Sequence, residues 1–237
     1  MMGELLYEGK AKKMFTTDDP FVLRVEYKND ATAFNGQKKA KFEGKGRLNN
    51  AICTKIFHVL QQKNLPTHYL ETISETEQLV KSVDIVPIEV VVRNIVAGSL
   101  AKRLGLDEGT DLGKTIVEFY YKSDDLGDPM INDDHALAIK IATEEELTEI
   151  RRQALAVNKV LQELFSEAGI LLVDFKLEFG KLKETGAIVL ADEISPDTCR
   201  LWDKETHEKL DKDVFRRNIA DLPETYEKLL SRLEAVR

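Results

Sequence analysis

The stretch ILLVDFKLEFG, residues 170–180, decides how this chain reads. Side chains alternate between the two faces of a strand. Val173, Phe175, Leu177 and Phe179 therefore point one way, and Asp174, Lys176 and Glu178 the other. An acid–base–acid row backed by apolar residues suits a site that handles metal and phosphate. An exposed edge strand carrying a charge ladder would show the same alternation. The segment that follows favours the site. Residues 181–186 form a plausible hairpin loop, and AIVLA at 187–191 is a compact apolar strand ending in Asp192-Glu193. Pairing the two strands would bring Asp192 towards the row. A carboxylate after five apolar residues is costly unless it is paired or metal-bound. Magnesium is usually held by one or two carboxylates plus phosphate oxygens and water. The Asp174–Lys176–Glu178 row together with Asp192 thus fits Mg-nucleotide chemistry.

Upstream, VPIEVVVRNIV at 86–96 is rich in β-branched residues and predicts a strand buried on both faces. Arg93 is the only charged residue between Glu89 and Lys102. A buried Arg needs an anionic partner. That partner is either a structural carboxylate such as Glu89, or a phosphate or carboxylate ligand helped by Gly98-Ser99 at the start of the next helix. At the beginning of the chain, 4–7, 12–15 and 21–27 read as antiparallel strands. The first turn holds Gly9, Lys10, Ala11, Lys12 and Lys13. Glycine lets backbone amides approach a phosphate, and lysine supplies a point charge. The pattern is neither a P-loop nor GxGxxG. Residues 38–47 read as a second basic loop, in which Lys38, Lys39 and Lys41 are solvated charge, whereas Lys45 stands apart between two glycines.

Elsewhere, Leu48, Ile52, Ile56 and Leu60 predict an amphipathic helix. Capping-box patterns at 74–77 and 143–146 predict a short helix and the longest one. Further helices are expected at 99–104, 212–219 and 223–236, and a strand at 116–121. A boundary near residue 84 would separate an antiparallel β-rich part (1–84) from a larger α+β part (85–237).

The 237 residues carry 34 Lys+Arg against 42 Asp+Glu, a net charge of −8. Such a balance opposes general binding to nucleic acid or an anionic membrane. The first 50 residues nevertheless hold ten Lys/Arg against seven Asp/Glu, a basic corner suited to a small anionic ligand. Two cysteines provide neither a disulfide framework nor a zinc site. Cys53 reads as core, Cys199 receives no role and Trp202 reads as packing. The four histidines lack metal spacing, and GxSxG is absent. Without a membrane-length apolar run or an apolar signal core, a cytoplasmic protein is expected.

Taken together, GKAK at 9–12, VPIEVVVRN at 86–94, AGS at 97–99, DP at 128–129, VDFKLEFG at 173–180 and DEISPDTCRLWD at 192–203 resemble the SAICAR synthetase family. The resemblance runs over essentially the whole chain. It implies an α+β fold with a kinase-like or ATP-grasp-like nucleotide cleft between an N-terminal antiparallel β part and a larger α+β part. It also implies an ATP-dependent ligase that joins L-aspartate to the carboxylate of carboxyaminoimidazole ribonucleotide (CAIR) through an acyl phosphate. By the same resemblance, Gly9, Lys10, Ala11 and Lys12 would meet ATP phosphates, and Ile85 and Lys122 the adenine side. Glu178 and Asp192 would hold Mg²⁺, with Lys176, Asp174 and Asp128 as catalytic residues. Arg93, Gly98, Ser99, Asp197, Arg200, Arg216 and Asn35 would bind CAIR or aspartate. Many family members carry Asp where this chain has Asn35, which can hydrogen-bond but cannot act as a base. The resemblance also favours a homodimer. The rival readings are a small-molecule kinase on the same Mg-ATP site and an inactive nucleotide-binding regulatory protein.

Overall fold

Alternation in 170–182 builds the middle strand of the larger sheet. In the computed structural model, which describes residues 3–33 and 36–236, the chain begins β1 (Leu5–Glu8), β2 (Lys12–Thr16), β3 (Val22–Tyr27), β4 (Asp30–Ala33), β5 (Lys38–Lys41) and α1 (Lys45–Gln62). It continues with β6 (Tyr69–Thr72), β7 (Glu77–Lys81), β8 (Val83–Ile95), α2 (Gly98–Leu104), β9 (Asp111–Tyr121), β10 (Met130–Ile131) and α3 (Asp133–Ala138). The last elements are α4 (Glu144–Glu167), β11 (Ile170–Leu182), β12 (Ile188–Ala191), β13 (Cys199–Asp203), α5 (Asp213–Arg217) and α6 (Leu222–Ala235).

One sheet has the order β1-β2-β3-β7-β6, the other β10-β9-β8-β11-β12, with β13 also on β11, and β4-β5 is a separate hairpin. β11 pairs antiparallel with β8, β12 and β13. The charge ladder therefore lies inside a sheet, which removes the exposed-edge reading. α4 covers this sheet with Leu147, Ile150, Ala154, Val157, Leu161 and Leu164. Its start is the expected capping box: Glu146 N–H donates to Thr143 Oγ1 at 3.3 Å, and Thr143 N–H to Glu146 Oε2 at 3.0 Å. α1 buries Leu48, Ile52, Ile56, Phe57 and Leu60 in the same core and packs along α6. No helix among the described residues is long and apolar enough to cross a membrane.

Four expectations are corrected. Ser74 and Glu77 do hydrogen-bond, Ser74 Oγ donating to Glu77 Oε2 at 3.0 Å, but they close a turn into strand β7 rather than open a helix. Pairing with β3 buries Gln78 and Val80 there, a gain that outweighs the local capping preference. β8 is not buried on both faces. Val86, Ile88, Val90 and Val92 enter the core, while Glu89, Val91 and Arg93 line a cleft. Residues 38–41 form a hairpin strand rather than a loop. Finally, Val173 leaves the face of Phe175, Leu177 and Phe179 and packs with Ala97 and Trp202. The register shifts between Leu172 and Asp174, and that irregularity turns Val173 aside.

Candidate active site

A cleft of about 1240 Å³ runs between the two sheets and is lined by the β1–β2 turn, β8, β11, the end of β12 and α5. On its N-terminal side the turn is closed by Gly9 N–H donating to Lys12 O at 2.8 Å. Lys12 Nζ crosses the cleft to pair with Asp192 Oδ1, and it lies 3.1 Å from Glu193 Oε1. Lys10 makes a shallower crossing, 2.9 Å to Asp124, with both side chains exposed.

Glu178 pairs in register with Ala191, so Asp192 follows one residue past Glu178's cross-strand neighbour. There the backbone turns at φ 58°, a left-handed conformation that Asp tolerates better than most residues. Glu178 Oε1 accepts from Lys176 Nζ at 2.7 Å and from Lys122 Nζ at 2.9 Å. Lys176 also donates to Glu89 Oε1 at 2.9 Å. Burial opposes charge on Asp192, but Lys12 and Lys176 outweigh it and hold its carboxyl well below the usual range. Burial likewise opposes charge on Lys12 and Lys176. The surrounding carboxylates nevertheless raise both above the ordinary lysine value. Ionised carboxylates ringed by lysines suit a metal–phosphate group. Among the described residues no cluster of three or more His, Cys, Asp or Glu could hold a metal alone. The Glu178–Asp192 pair fits Mg²⁺, which takes few protein carboxylates when phosphate oxygens complete its shell.

Two residues further along β11 from Lys176, Asp174 pairs in register with Arg93 of β8 and Arg200 of β13. Both guanidiniums reach it: Arg93 Nη1 at 2.8 Å and Arg200 Nη1 at 3.0 Å from Oδ2. Arg93 Nε donates to Glu118 Oε2 at 2.7 Å, and its Nη2 to Ser99 Oγ at 3.0 Å. The carboxylate partners of Arg93 are thus Glu118 and Asp174, not Glu89, which is occupied by Lys176. Arg200 Nε donates to Asp213 Oδ2 at 3.1 Å, and Arg216 Nη1 to Asp213 Oδ1 at 2.6 Å. Burial raises Asp174 despite both arginines. Gly98 has φ +55°, and a Cβ there would lie 2.6–2.8 Å from the Arg200 guanidinium atoms. Only glycine meets both conditions.

The remaining candidates divide. Asp197 is fully engaged. Its Oδ2 accepts from Lys45 at 2.6 Å and Asn49 at 3.1 Å, and its Oδ1 from Tyr226 at 2.6 Å. Asp128 has φ 49° and accepts from Ser123 N–H at 2.9 Å, ordering the turn at the cleft's rim. Ile85 lies at the cleft end away from Arg200, whereas Lys122 reaches Glu178. Asn35 lies outside the described residues. Sequence reasoning missed Glu118, Glu193 and Asp213. A weak signal for the last existed, because Asp211-Lys212-Asp213 repeats the acid–base–acid order of β11, although at consecutive rather than alternate positions.

A sequence model described as SAICAR synthetase matches residues 5–233. The phosphoribosylaminoimidazole-succinocarboxamide synthase of Listeria innocua is 61% identical over 237 residues, covering 100% of both chains. The crystal structure of the enzyme of that name from Ehrlichia chaffeensis superposes with TM-score 0.95 at 46% identity, over 99% of this chain and 100% of that one. A SAICAR synthetase in complex with ADP superposes with TM-score 0.93 at 52% identity, over 97% of each chain.

Proposed function

The chain belongs to the SAICAR synthetase family, and from that premise we propose how its cleft carries out the family's ATP-dependent ligation in purine biosynthesis. The substrates are ATP, CAIR and L-aspartate; the products are SAICAR, ADP and phosphate. A carboxylate is inert to an amine until one of its oxygens becomes a good leaving group. In our reading a CAIR carboxylate oxygen attacks the γ-phosphorus of ATP, and the bond to the β-phosphate oxygen breaks to release ADP. The aspartate amine then attacks the acyl carbon, phosphate departs, and the nitrogen loses a proton.

The 9–12 turn, with Lys10 and Lys12, would bind the phosphates, and Ile85 would border the adenine. Glu178 and Asp192 would hold Mg²⁺, which supplies charge neutralisation at the transferring phosphoryl group. Lys176 lies between that pair and Asp174 and would orient the reacting carboxylate, with Asp128 at the rim. Arg93, Ser99, Arg200 and Arg216 would take the CAIR phosphate and carboxylate, with Gly98 making room for the Arg200 guanidinium. The observation that carries this reading is the order along β11. The Glu178–Asp192 group and the Asp174–Arg93–Arg200 group lie four residues apart on one strand, roughly 13 Å at the usual rise. That span suits a nucleotide phosphate at one end and a ribonucleotide phosphate at the other. We also propose residues 1–84 and 85–237 as the two lobes, and a homodimer, which sedimentation velocity would test.

The decisive assay measures ADP release with ATP and Mg²⁺, adding CAIR and L-aspartate singly and together. Amide product only with both is the expected result. A stable phosphorylated product that forms without aspartate and never passes to amide would indicate a kinase.

A further inference from the structure

Arg200 and Arg217 converge on one oxygen atom. Arg200 Nε donates to Asp213 Oδ2 at 3.1 Å, and Arg217 Nη2 lies 3.4 Å from that same atom. Arg216 Nη1 already takes the other oxygen at 2.6 Å. Arg217 stands four residues after Asp213 on α5, a spacing that brings helical side chains together. What holds it off is Glu108, 109 residues earlier in the chain. Arg217 Nη2 donates to Glu108 Oε2 at 2.8 Å and to Oε1 at 3.0 Å.

Glu108 is a fixed anchor. Its loop is pinned just past the end of β8, where Val96 N–H donates to Thr110 O at 2.9 Å and Gly109 N–H to Val96 O at 2.8 Å. Lys209 Nζ lies 3.3 Å from Glu108 Oε1 and 3.3 Å from the centre of the Trp202 ring. Burial works against charge on Glu108, yet Arg217 and Lys209 hold its carboxyl below the usual range. Neither Glu108 nor Arg217 lines the cleft. Partly exposed pairs of this kind add little to stability. Their effect lies in which acceptor each guanidinium takes. Charge-assisted bonds to Glu108 satisfy Arg217, and Asp213 Oδ2 is left to Arg200.

We propose that Glu108 is a positioning residue for Arg200 and acts by drawing Arg217 off Asp213. This rests on the ligase reading above, in which Arg200 binds CAIR. Without a charge at position 108, Arg217 turns to Asp213 and displaces Arg200 Nε from it. The Arg200 guanidinium then keeps only its bond to Asp174, at 3.0 Å through Nη1, and loses the second carboxylate that orients it.

The test is steady-state kinetics of Glu108→Gln, Arg217→Met and the double variant, with ADP affinity measured calorimetrically as the check on folding. Glu108→Gln should raise KM for CAIR at least fivefold, with kcat and ADP affinity within twofold of wild type. Arg217→Met should leave KM for CAIR within twofold, because it removes the competitor. The double variant should return to within twofold for the same reason. If the pair served only to brace the 105–110 loop against α5, loss of either partner would weaken CAIR binding alike and the double variant would not recover. That result overturns the proposal and leaves the ligase reading standing, as does an unchanged KM for CAIR in Glu108→Gln. A loss of ADP binding in Glu108→Gln that Arg217→Met does not reverse also overturns it. Wild-type protein that makes no amide at all overturns both.

Discussion

Lys45, with none of its side chain exposed, donates to Asp197 Oδ2 at 2.6 Å and so ties the first turn of α1 to the 195–199 loop at the cleft. Tyr226 of α6 reaches the other oxygen of the same carboxylate at 2.6 Å. Three segments distant in sequence thus meet on one buried charge.

Breaking this pair should cost more than removing a neutral donor from it. Lys45→Met strands a buried carboxylate and should lower stability by about 3–5 kcal/mol. Tyr226→Phe removes one hydrogen bond to a charged group and should cost about 1.5–3 kcal/mol. Urea denaturation of both variants checks the order. Equal losses would mean that Asp197 does not depend on the lysine.

At Gly98, Ala should damage the ribonucleotide end alone. The added methyl would sit on the Arg200 guanidinium, at a φ of +55° that Ala resists. We expect KM for CAIR to rise at least tenfold while ADP binding stays within threefold, measured by kinetics and calorimetry. A loss confined to nucleotide binding would contradict the assignment of Arg200.

Asp192→Asn separates fold from chemistry. Asn accepts the left-handed backbone as readily as Asp, so the chain should stay folded by circular dichroism. Turnover should fall by about two orders of magnitude or more, the scale of a lost charge-stabilising group. Near-normal activity would sink the metal assignment.

A pH signature is expected from Asp211. Burial, and then the neighbouring charge of Asp213, push its carboxyl up to about 7. Its oxygens accept from Leu201 N–H at 2.8 Å and Asp213 N–H at 2.7 Å. The folded protein then holds a proton that the unfolded chain has released from about pH 4 upward. Stability contributed by this group therefore falls as pH rises from about 4 to about 7. Between pH 5 and pH 8 the loss amounts to about 2–3 kcal/mol. In Asp211→Asn that increment should vanish from the pH dependence of the urea midpoint, although the variant is less stable at pH 5 because its amide NH2 cannot accept from backbone N–H. An undiminished slope would show that Asp211 does not titrate there.

Much of the site was legible because its signals are local. Period-two alternation places Lys176 and Glu178 on one face of β11 whatever surrounds them, and five apolar residues before Asp192 mark it as costly to bury. The capping box at Thr143 works for the same reason, since both partners lie within one turn. The identical pattern at Ser74 failed because strand pairing with β3, fifty residues earlier, competed with it and won. Arg93 announced that it needed an anion, but which one depended on register, and Glu118 and Asp174 are 25 and 81 residues away.

By itself, then, the order of residues determined the alternating strands, the long amphipathic helices, the family and the residue types of the cleft. Each of these follows from neighbours within a few positions or from whole motifs. Tertiary structure alone decided how the charges are shared. It engaged Asp197 with Lys45 and Tyr226, joined Asp174 to both Arg93 and Arg200, and seated Arg200 against Gly98. Those outcomes depend on which distant groups reach one buried atom first, and on how few hydrogen bonds each carboxylate oxygen can accept.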